Sequence, residues 1–129
     1  MDARYLNVDC ILRSGDNLID LISFLKDDVF ILWEEFPRDG SFVGFETNLI
    51  NTNEPEEDIV EFLRLFDSLP STLMRLLTGC YEKVFDIGFE SGNTGDPLNL
   101  SINSDLINRV SKLGFSLNIR VYPIDSENT

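Results

Sequence analysis

Residues 29–50 read VFILWEEFPRDGSFVGFETNLI, and this stretch decides the fold. An apolar run rich in aromatic and β-branched residues is followed by turn residues at 37–40 and then by a second run of the same kind. Two such runs around a short turn are typical of a β-hairpin. The sequence therefore predicts an antiparallel pair of strands, around which the rest of the chain can be assigned.

Three further segments, residues 4–13, 81–90 and 115–122, alternate between apolar and polar positions. A period of two over this length predicts half-buried strands. The residues expected to point inward are Leu6, Val8, Cys10 and Leu12 in the first segment, Phe85, Ile87 and Phe89 in the second, and Phe115, Leu117, Ile119 and Val121 in the third. Residues 98–102 fit either a short strand or an extended approach to the helix that follows.

Four other segments repeat their apolar residues with the period of a helix. Residues 18–25 follow Ser14 or Asp16 as the predicted N-cap, and a second helix opens at Pro55 behind Asn53 or Glu54. A third begins at residues 70–71 and stops at Gly79, and a fourth runs from 105 to 113 behind Asn103 or Ser104. The element order is thus β-α-β-β-α-α-β-(β)-α-β.

This order predicts an α+β fold in two layers, with a mostly antiparallel sheet of four or five strands and helices packed on one face. The 129 residues are enough for one packed core and too few for two, so residues 1–129 are expected to form a single domain. One face of such a sheet can remain in contact with water. Glu82, Asp86 and Glu90 are expected on that outer face, with Arg120 near enough to pair with one of them.

Strict alternation in the first hairpin strand places Trp33 on the face of Val29 and Ile31, and Glu34 on the opposite face from Glu35. Trp33 then either packs at the edge of the core or anchors an interface, since tryptophan is enriched among residues that dominate binding energy. Both interpretations stay open at this stage.

The chain lacks the residues of the common catalytic sites. It contains no histidine, which removes the commonest general base and metal ligand, and it has no phosphate-binding loop or calcium loop. We therefore expect no enzyme activity, no cofactor and no metal. One catalytic alternative remains: a hydrolase built from two carboxylates, with Glu35 beside Glu46 or Asp9 beside Asp86.

The N-terminus shows no basic start followed by an apolar run, and no apolar segment has the length of a membrane span. Cys10 and Cys80 match no metal-ligand spacing and are expected to be reduced and buried. These features predict a cytoplasmic protein.

The net charge is −13, from 23 acids and 10 bases, and it is unevenly distributed. Residues 27–61 hold eleven of the acids and a single base, Arg38, so this quarter of the chain carries most of the charge. Such a charge repels nucleic acids and anionic lipid surfaces, and it attracts basic proteins. We expect no nucleic-acid partner and no membrane partner.

The segment LNLSINSDLINRVSKLGFSLNIRVYP, with FDIGFESG before it, is similar to the end of a family of small bacterial proteins of unknown function. In that family a strand, a short cap, a helix ending in Leu-Gly and a last strand ending in Tyr recur; here they are residues 98–102, 103–105, 106–114 and 115–122. As a small, acidic domain without catalytic motifs, the whole chain also resembles bacterial immunity proteins. These proteins neutralise the toxic domain of a bacteriocin or contact-dependent inhibitor.

The resemblance implies that the chain binds and neutralises a basic toxin domain, in particular a nuclease, whose phosphate site an acidic surface can occupy. The charge pattern predicts the contact region around the tryptophan, and the protein is expected to be a monomer or a weak dimer. The predicted partner-binding residues are Trp33, Glu34, Glu35, Asp39, Glu46, Glu56, Glu57, Asp58 and Glu61. The alternative is an adaptor or regulatory protein that binds a host protein through its open sheet face, at Glu82, Asp86 and Glu90.

Overall fold

The computed structural model describes residues 1–124, and this part of the chain forms five strands and four helices in an α+β fold. The predicted fold class is confirmed. The elements in chain order are β1 (Arg4–Ser14), α1 (Ile19–Leu25), β2 (Val29–Glu35), β3 (Ser41–Thr47), α2 (Pro55–Asp67), α3 (Ser71–Thr78), β4 (Glu82–Glu90), α4 (Ser104–Lys112) and β5 (Ser116–Tyr122). No helix in residues 1–124 has the length and hydropathy that a membrane span needs.

The strands form one sheet in the order β2-β3-β1-β4-β5. All neighbouring pairs are antiparallel except β4 and β5, which are parallel. This exception follows from the chain connection, because α4 lies between β4 and β5 and returns the chain to the end where β4 began. The central position of β1 places its outward side chains in the middle of the sheet.

The core lies between the sheet and the helices. Inward residues of the central strands, such as Cys10, Phe45 and Phe85, are fully buried. Phe62 of α2 packs between Phe45 and Phe85, with ring centroids 5.7 and 5.4 Å away. Each fully buried side chain of this size contributes about 1.5–3 kcal/mol through removal from water. No helix of residues 1–124 lies on the other face of the sheet, which is called the open face below.

A β-bulge in β1 changes the predicted inward set. Tyr5 pairs with Phe89 and Asn7 pairs with Gly88, so Leu6 is an extra residue without a partner. Tyr5 therefore points toward the helices, and Leu6, predicted to be inward, is 36% exposed. The prediction from strict alternation was wrong here because a bulge adds one residue to the strand. The side chains on the two sides of the bulge therefore no longer follow one alternating pattern.

A second bulge lies in β2. Ile31 pairs with Phe45 and Trp33 pairs with Gly44, which leaves Leu32 as the extra residue. Trp33 is consequently on the open face, and the prediction that it shares a face with Val29 and Ile31 was wrong. The same phase shift places Glu34 on the helix side, opposite the buried Val43.

The last strand departs from its prediction in burial. Leu117, Ile119 and Val121 lie beside Phe85, Ile87 and Phe89 on the helix side of the sheet, as the pattern predicted. However, they are 38%, 65% and 59% exposed, so the last strand lies at the margin of the core. Residues 98–102 form no strand.

The helix boundaries agree with the prediction except at the first N-cap. Leu18 is the N-cap of α1, and its N–H donates to the Ser41 hydroxyl at 2.9 Å, so neither Ser14 nor Asp16 caps this helix. At α4 the Asn103 side chain accepts from Leu106 N–H at 2.8 Å, as predicted. Cys10 and Cys80 are free and buried, also as predicted.

Candidate functional site on the open sheet face

Three carboxylates form a row across the middle of the open face. Asp9 of β1 is in register with Asp86 of β4. On the other side of β1, Glu46 of β3 lies beside Asp9. Cys10 pairs with Phe45, and the next residues along these two antiparallel strands are Asp9 and Glu46. The row Glu46–Asp9–Asp86 thus crosses β3, β1 and β4, and Phe30 of β2 continues it to the sheet edge.

The outer members of the row have polar partners. Asp86 accepts from the Asn118 amide at 2.7 Å and forms an ion pair with Arg120 at 3.4 Å, which confirms the pairing predicted for Arg120. Glu46 accepts from the Asn7 amide at 3.5 Å. These amides and the guanidinium hold the two outer carboxylates, Glu46 and Asp86, in place.

Asp9, at the centre of the row, differs from its two neighbours in its hydrogen bonding. Its Oδ1 atom is shielded from water and has no hydrogen-bond partner among the described residues. Burial, followed by the neighbouring Glu46 and Asp86, raises the pKa of Asp9 to about 6, while Arg120 opposes this shift. The centre of the open face therefore favours a proton or another positive group close to Asp9.

An aromatic cluster adjoins the carboxylate row. The indole of Trp33 lies across Gly44, where an added Cβ would come within 2.2 Å of its ring. Phe42 lies 5.7 Å from Trp33, and the Arg13 guanidinium stacks 3.8 Å above Phe42. Trp33 Nε1 is also shielded from water and has no acceptor among the described residues. Sequence periodicity missed this cluster because the bulge at Leu32 is what turns Trp33 outward.

The other basic residues of the open face are already paired. Arg13 pairs with Glu82 at 2.7 Å, and Arg4 pairs with Glu90 at 3.2 Å. Asp9, Glu46 and Glu35, in contrast, have no ion-pair partner in the described part of the chain. The unpaired charge of the face is therefore negative.

The structure distributes the predicted partner-binding residues over separate surfaces. Trp33, Glu35 and Glu46 lie on the open face, and Glu34 lies on the opposite face of the same strand. Asp39 is exposed in the turn between β2 and β3. The remaining residues are on the helix layer, on the other side of the sheet: Glu56, Glu57, Asp58 and Glu61.

Asp58 is 5% exposed and cannot form part of a contact surface. Its carboxylate accepts from the Thr47 hydroxyl at 2.6 Å, from the Thr52 hydroxyl at 2.9 Å and from the Tyr5 hydroxyl. Burial and the Asp58 hydrogen bond raise the pKa of Tyr5, so this hydroxyl remains a donor. The inclusion of Asp58 in the site was wrong: its carboxylate joins α2 to the sheet.

The other helix-layer acids also have local partners. Glu56 accepts from Asn103 N–H, Glu57 accepts from Asn53 N–H at 3.1 Å, and Glu61 pairs with Arg64. The predicted acidic patch is therefore not one continuous surface, because the sheet separates its strand residues from its helix residues. Asp9 and Asp86, which the partner-binding prediction omitted, belong to the surface that the structure does assemble.

The two proposed carboxylate pairs have different outcomes. Asp9 and Asp86 do meet across β1 and β4. Glu35 pairs with Phe42 and Glu46 pairs with Phe30, so Glu35 and Glu46 do not face each other and that pair was wrong. Within residues 1–124, no group of three or more His, Cys, Asp or Glu side chains has an arrangement suited to a metal ion.

No known protein family, curated protein or solved structure matches this chain. The likeness of the C-terminal segment to small bacterial proteins, and of the whole chain to immunity proteins, therefore stays a prediction.

Proposed function

We propose that this protein is an immunity protein that binds a basic toxin domain, in particular a nuclease, and that the open face is its contact surface. One observation supports this site above all: the row Glu46–Asp9–Asp86 places a partly buried carboxylate, without an ion-pair partner in residues 1–124, at the centre of the open face. Binding, rather than catalysis, is the role proposed for these carboxylates.

In the free protein, partial burial disfavours the ionised form of Asp9. A carboxylate removed from water without a partner is unfavourable unless it takes up a proton or meets a cation. A Lys or Arg side chain of the partner, placed over the partly exposed Asp9, would supply a positive charge beside its carboxylate. The charge of Asp9 would then be better compensated in the complex than in the free protein, and this difference would contribute to the affinity.

The aromatic cluster beside the row adds a second anchor. Trp33 offers a large apolar ring and an Nε1–H group without an acceptor, and Phe42 extends the ring surface. Buried tryptophans at the centre of an interface often dominate its binding energy. Apolar atoms of the partner would cover the rings of Trp33 and Phe42.

The net charge of −13 suits this partner at long range. A nuclease presents cations to bind phosphate, and an acidic face opposite those cations accelerates association and occludes the phosphate site. The proposal places the protein in the cytoplasm, where a nuclease toxin meets its nucleic-acid substrate. Neither nucleic acid nor a membrane surface is a proposed partner, since both carry the same sign of charge.

The experiment requires the toxin, which we expect to be encoded immediately upstream of this gene as a basic C-terminal domain. That domain is coexpressed with this protein, and cell survival and affinity are measured. Asp9→Asn combined with Glu46→Gln is expected to weaken binding at least about 10-fold, since each lost charge-assisted contact is worth about 1.5–3 kcal/mol. The matched control is Glu57→Gln with Glu61→Gln, which removes the same charge from the helix layer and should leave affinity unchanged.

The outcomes separate the site from the function. If the helix-layer variant loses binding and the open-face variant does not, the proposed site is wrong. If no upstream toxin exists and the protein instead captures a host protein through the open face, the function is that of an adaptor. This second candidate is favoured by the position of Asp86, Glu82 and Glu90 on the same open face.

A further inference from the structure

The strand β5 is an unprotected edge of the sheet. It pairs with β4 on one side, and in residues 1–124 no strand pairs with its other side. All seven of its residues are exposed. Its outer backbone N–H and C=O groups are therefore available to hydrogen-bond with another strand.

The opposite edge strand differs in the ways that usually prevent edge pairing. β2 carries a bulge at Leu32, ends in Glu34 and Glu35, and is followed by Pro37. β5 has regular pairing with β4 and only one charged residue, Arg120, although Pro123 follows it as Pro37 follows β2. Natural sheets block exposed edges with bulges and charges, so the absence of a bulge and the scarcity of charge along β5 indicate an edge that another strand can cover.

The helix-side face of β5 is apolar and also uncovered. Leu117, Ile119 and Val121 form an aliphatic row along it. Next to this row, a groove of about 480 Å³ contains Phe89, Leu98 and Leu100 among its lining residues. A contiguous apolar surface of this kind at a free strand edge is typical of a protein interface.

We propose that a second copy of this chain covers this edge, with the two β5 strands antiparallel and Ile119 on the two-fold axis. The charge of this edge permits a second copy and gives a basic partner no acid to bind. Two chains of net charge −13 can approach closely only where acids are absent, and β5 contains none. A basic partner would gain little at this edge and is better matched to the open face.

The sequence of β5 is self-complementary in this register. Ile119 faces the partner's Ile119, and Leu117 faces the partner's Val121, so the aliphatic row becomes continuous across the dimer. On the open face, Asn118 faces the partner's Arg120. A register centred on Arg120 would oppose two like charges, and one centred on Asn118 would leave Val121 unpaired. Both open faces stay uncovered, so the inference does not depend on the proposed function.

The test is the molar mass of the full chain in solution, measured by sedimentation over a concentration series at about 0.15 M salt. We expect the mass of two chains, against 14.7 kDa for one. Ile119→Lys should convert the protein to the single-chain mass, because it places two like charges on the two-fold axis. The matched control is Phe30→Lys, since Phe30 is 58% exposed on the other edge strand, and this variant should stay dimeric.

A second variant tests the register directly. Ile119→Cys should form an intermolecular disulfide under mild oxidation, whereas Phe30→Cys should not; the native Cys10 and Cys80 are buried and do not compete. A single-chain mass at every concentration overturns the proposal. So does a dimer that survives Ile119→Lys, or one in which Phe30→Cys forms the cross-link instead.

Discussion

The carboxylate of Asp9 illustrates how one side chain connects stability with binding. Its position between Glu46 and Asp86 keeps negative charge on three adjacent strands. Burial and these neighbours raise its pKa to about 6, so near neutral pH Asp9 is ionised, at a greater cost in the folded state than in the unfolded state. A cation placed beside Asp9 would offset this cost.

Asp9→Asn is predicted to stabilise the protein at neutral pH. The pKa of Asp9 is higher in the folded state than in the unfolded state, so protonation of Asp9 favours the folded protein. This stabilisation is complete below about pH 3.8 and is lost as the pH rises through about 6. The expected gain is about 1 kcal/mol, less than the full shift implies, because water screens a partly exposed carboxylate.

Chemical denaturation of the wild type and Asp9→Asn, at neutral pH and below pH 3.8, measures this effect. The gain should vanish at the lower pH, where Asp9 is protonated in both states. Asp39→Asn removes one charge from the exposed turn and is the control for net charge. A gain of equal size at both pH values would contradict the assignment to Asp9.

Gly44 is the residue that allows Trp33 to lie flat against the sheet. A Cβ at position 44 would come 2.2 to 2.6 Å from three atoms of the indole ring, which must then move. The position has an extended backbone, so the requirement for glycine comes from the close approach of the ring and not from a special backbone angle.

Gly44→Ala is therefore predicted to destabilise the protein by about 1–3 kcal/mol and to displace Trp33 toward water. Trp33 is the single tryptophan, so a red shift of the fluorescence emission reports its displacement directly. Gly15→Ala is the matched control, because nothing lies within 4 Å of an added Cβ there. An unchanged emission spectrum in Gly44→Ala would show that the indole does not occupy this place.

At the scale of the element, Asp58 determines how α2 docks on the sheet. Its carboxylate accepts hydrogen bonds from three hydroxyl groups: that of Tyr5 in β1, that of Thr47 in β3 and that of Thr52 in the loop before α2. A buried carboxylate with several donors stabilises a fold, because each hydrogen bond to a charged group contributes about 1.5–3 kcal/mol.

Asp58→Ala is predicted to lower the free energy of unfolding by about 3 kcal/mol, since it leaves three hydroxyl groups without their acceptor. Glu54→Ala removes an acid from the start of the same helix, where the side chain is exposed and makes no capping bond. This control should change stability by less than about 0.5 kcal/mol. Equal denaturation midpoints for the two variants would contradict the docking role of Asp58.

Two bulges explain why element-level prediction succeeded for strand positions and failed for side-chain direction. The runs around residues 4–13 and 29–35 are strands, as their composition predicted. Yet Leu6 and Leu32 each interrupt the pairing with a neighbouring strand, and every residue on one side of the bulge changes face. Neither bulge position carries a glycine or another sequence signal, so periodicity alone could not locate them.

At the scale of the whole molecule, the sheet divides the negative charge into two populations. On the helix layer, Glu56, Glu57, Asp58 and Glu61 are paired with backbone N–H groups, hydroxyls or Arg64. Acids at the centre of the open face are only partly paired and surround an unpartnered Asp9. The charge-rich segment 27–61 thus contributes to both sides of the molecule, and proximity in sequence does not make it one surface.

The sequence by itself determined the α+β class, the order of the elements and most of the core, because these depend on periodicity, turn residues and helix caps that act over a few positions. It also determined the net charge of −13. Only the tertiary structure decided that Asp9, Asp86 and Glu46 form one row, since they come from strands far apart in the chain. Likewise, only strand pairing fixed the two bulges and turned Trp33 to the open face, because a register shift depends on the partner strand and not on local sequence.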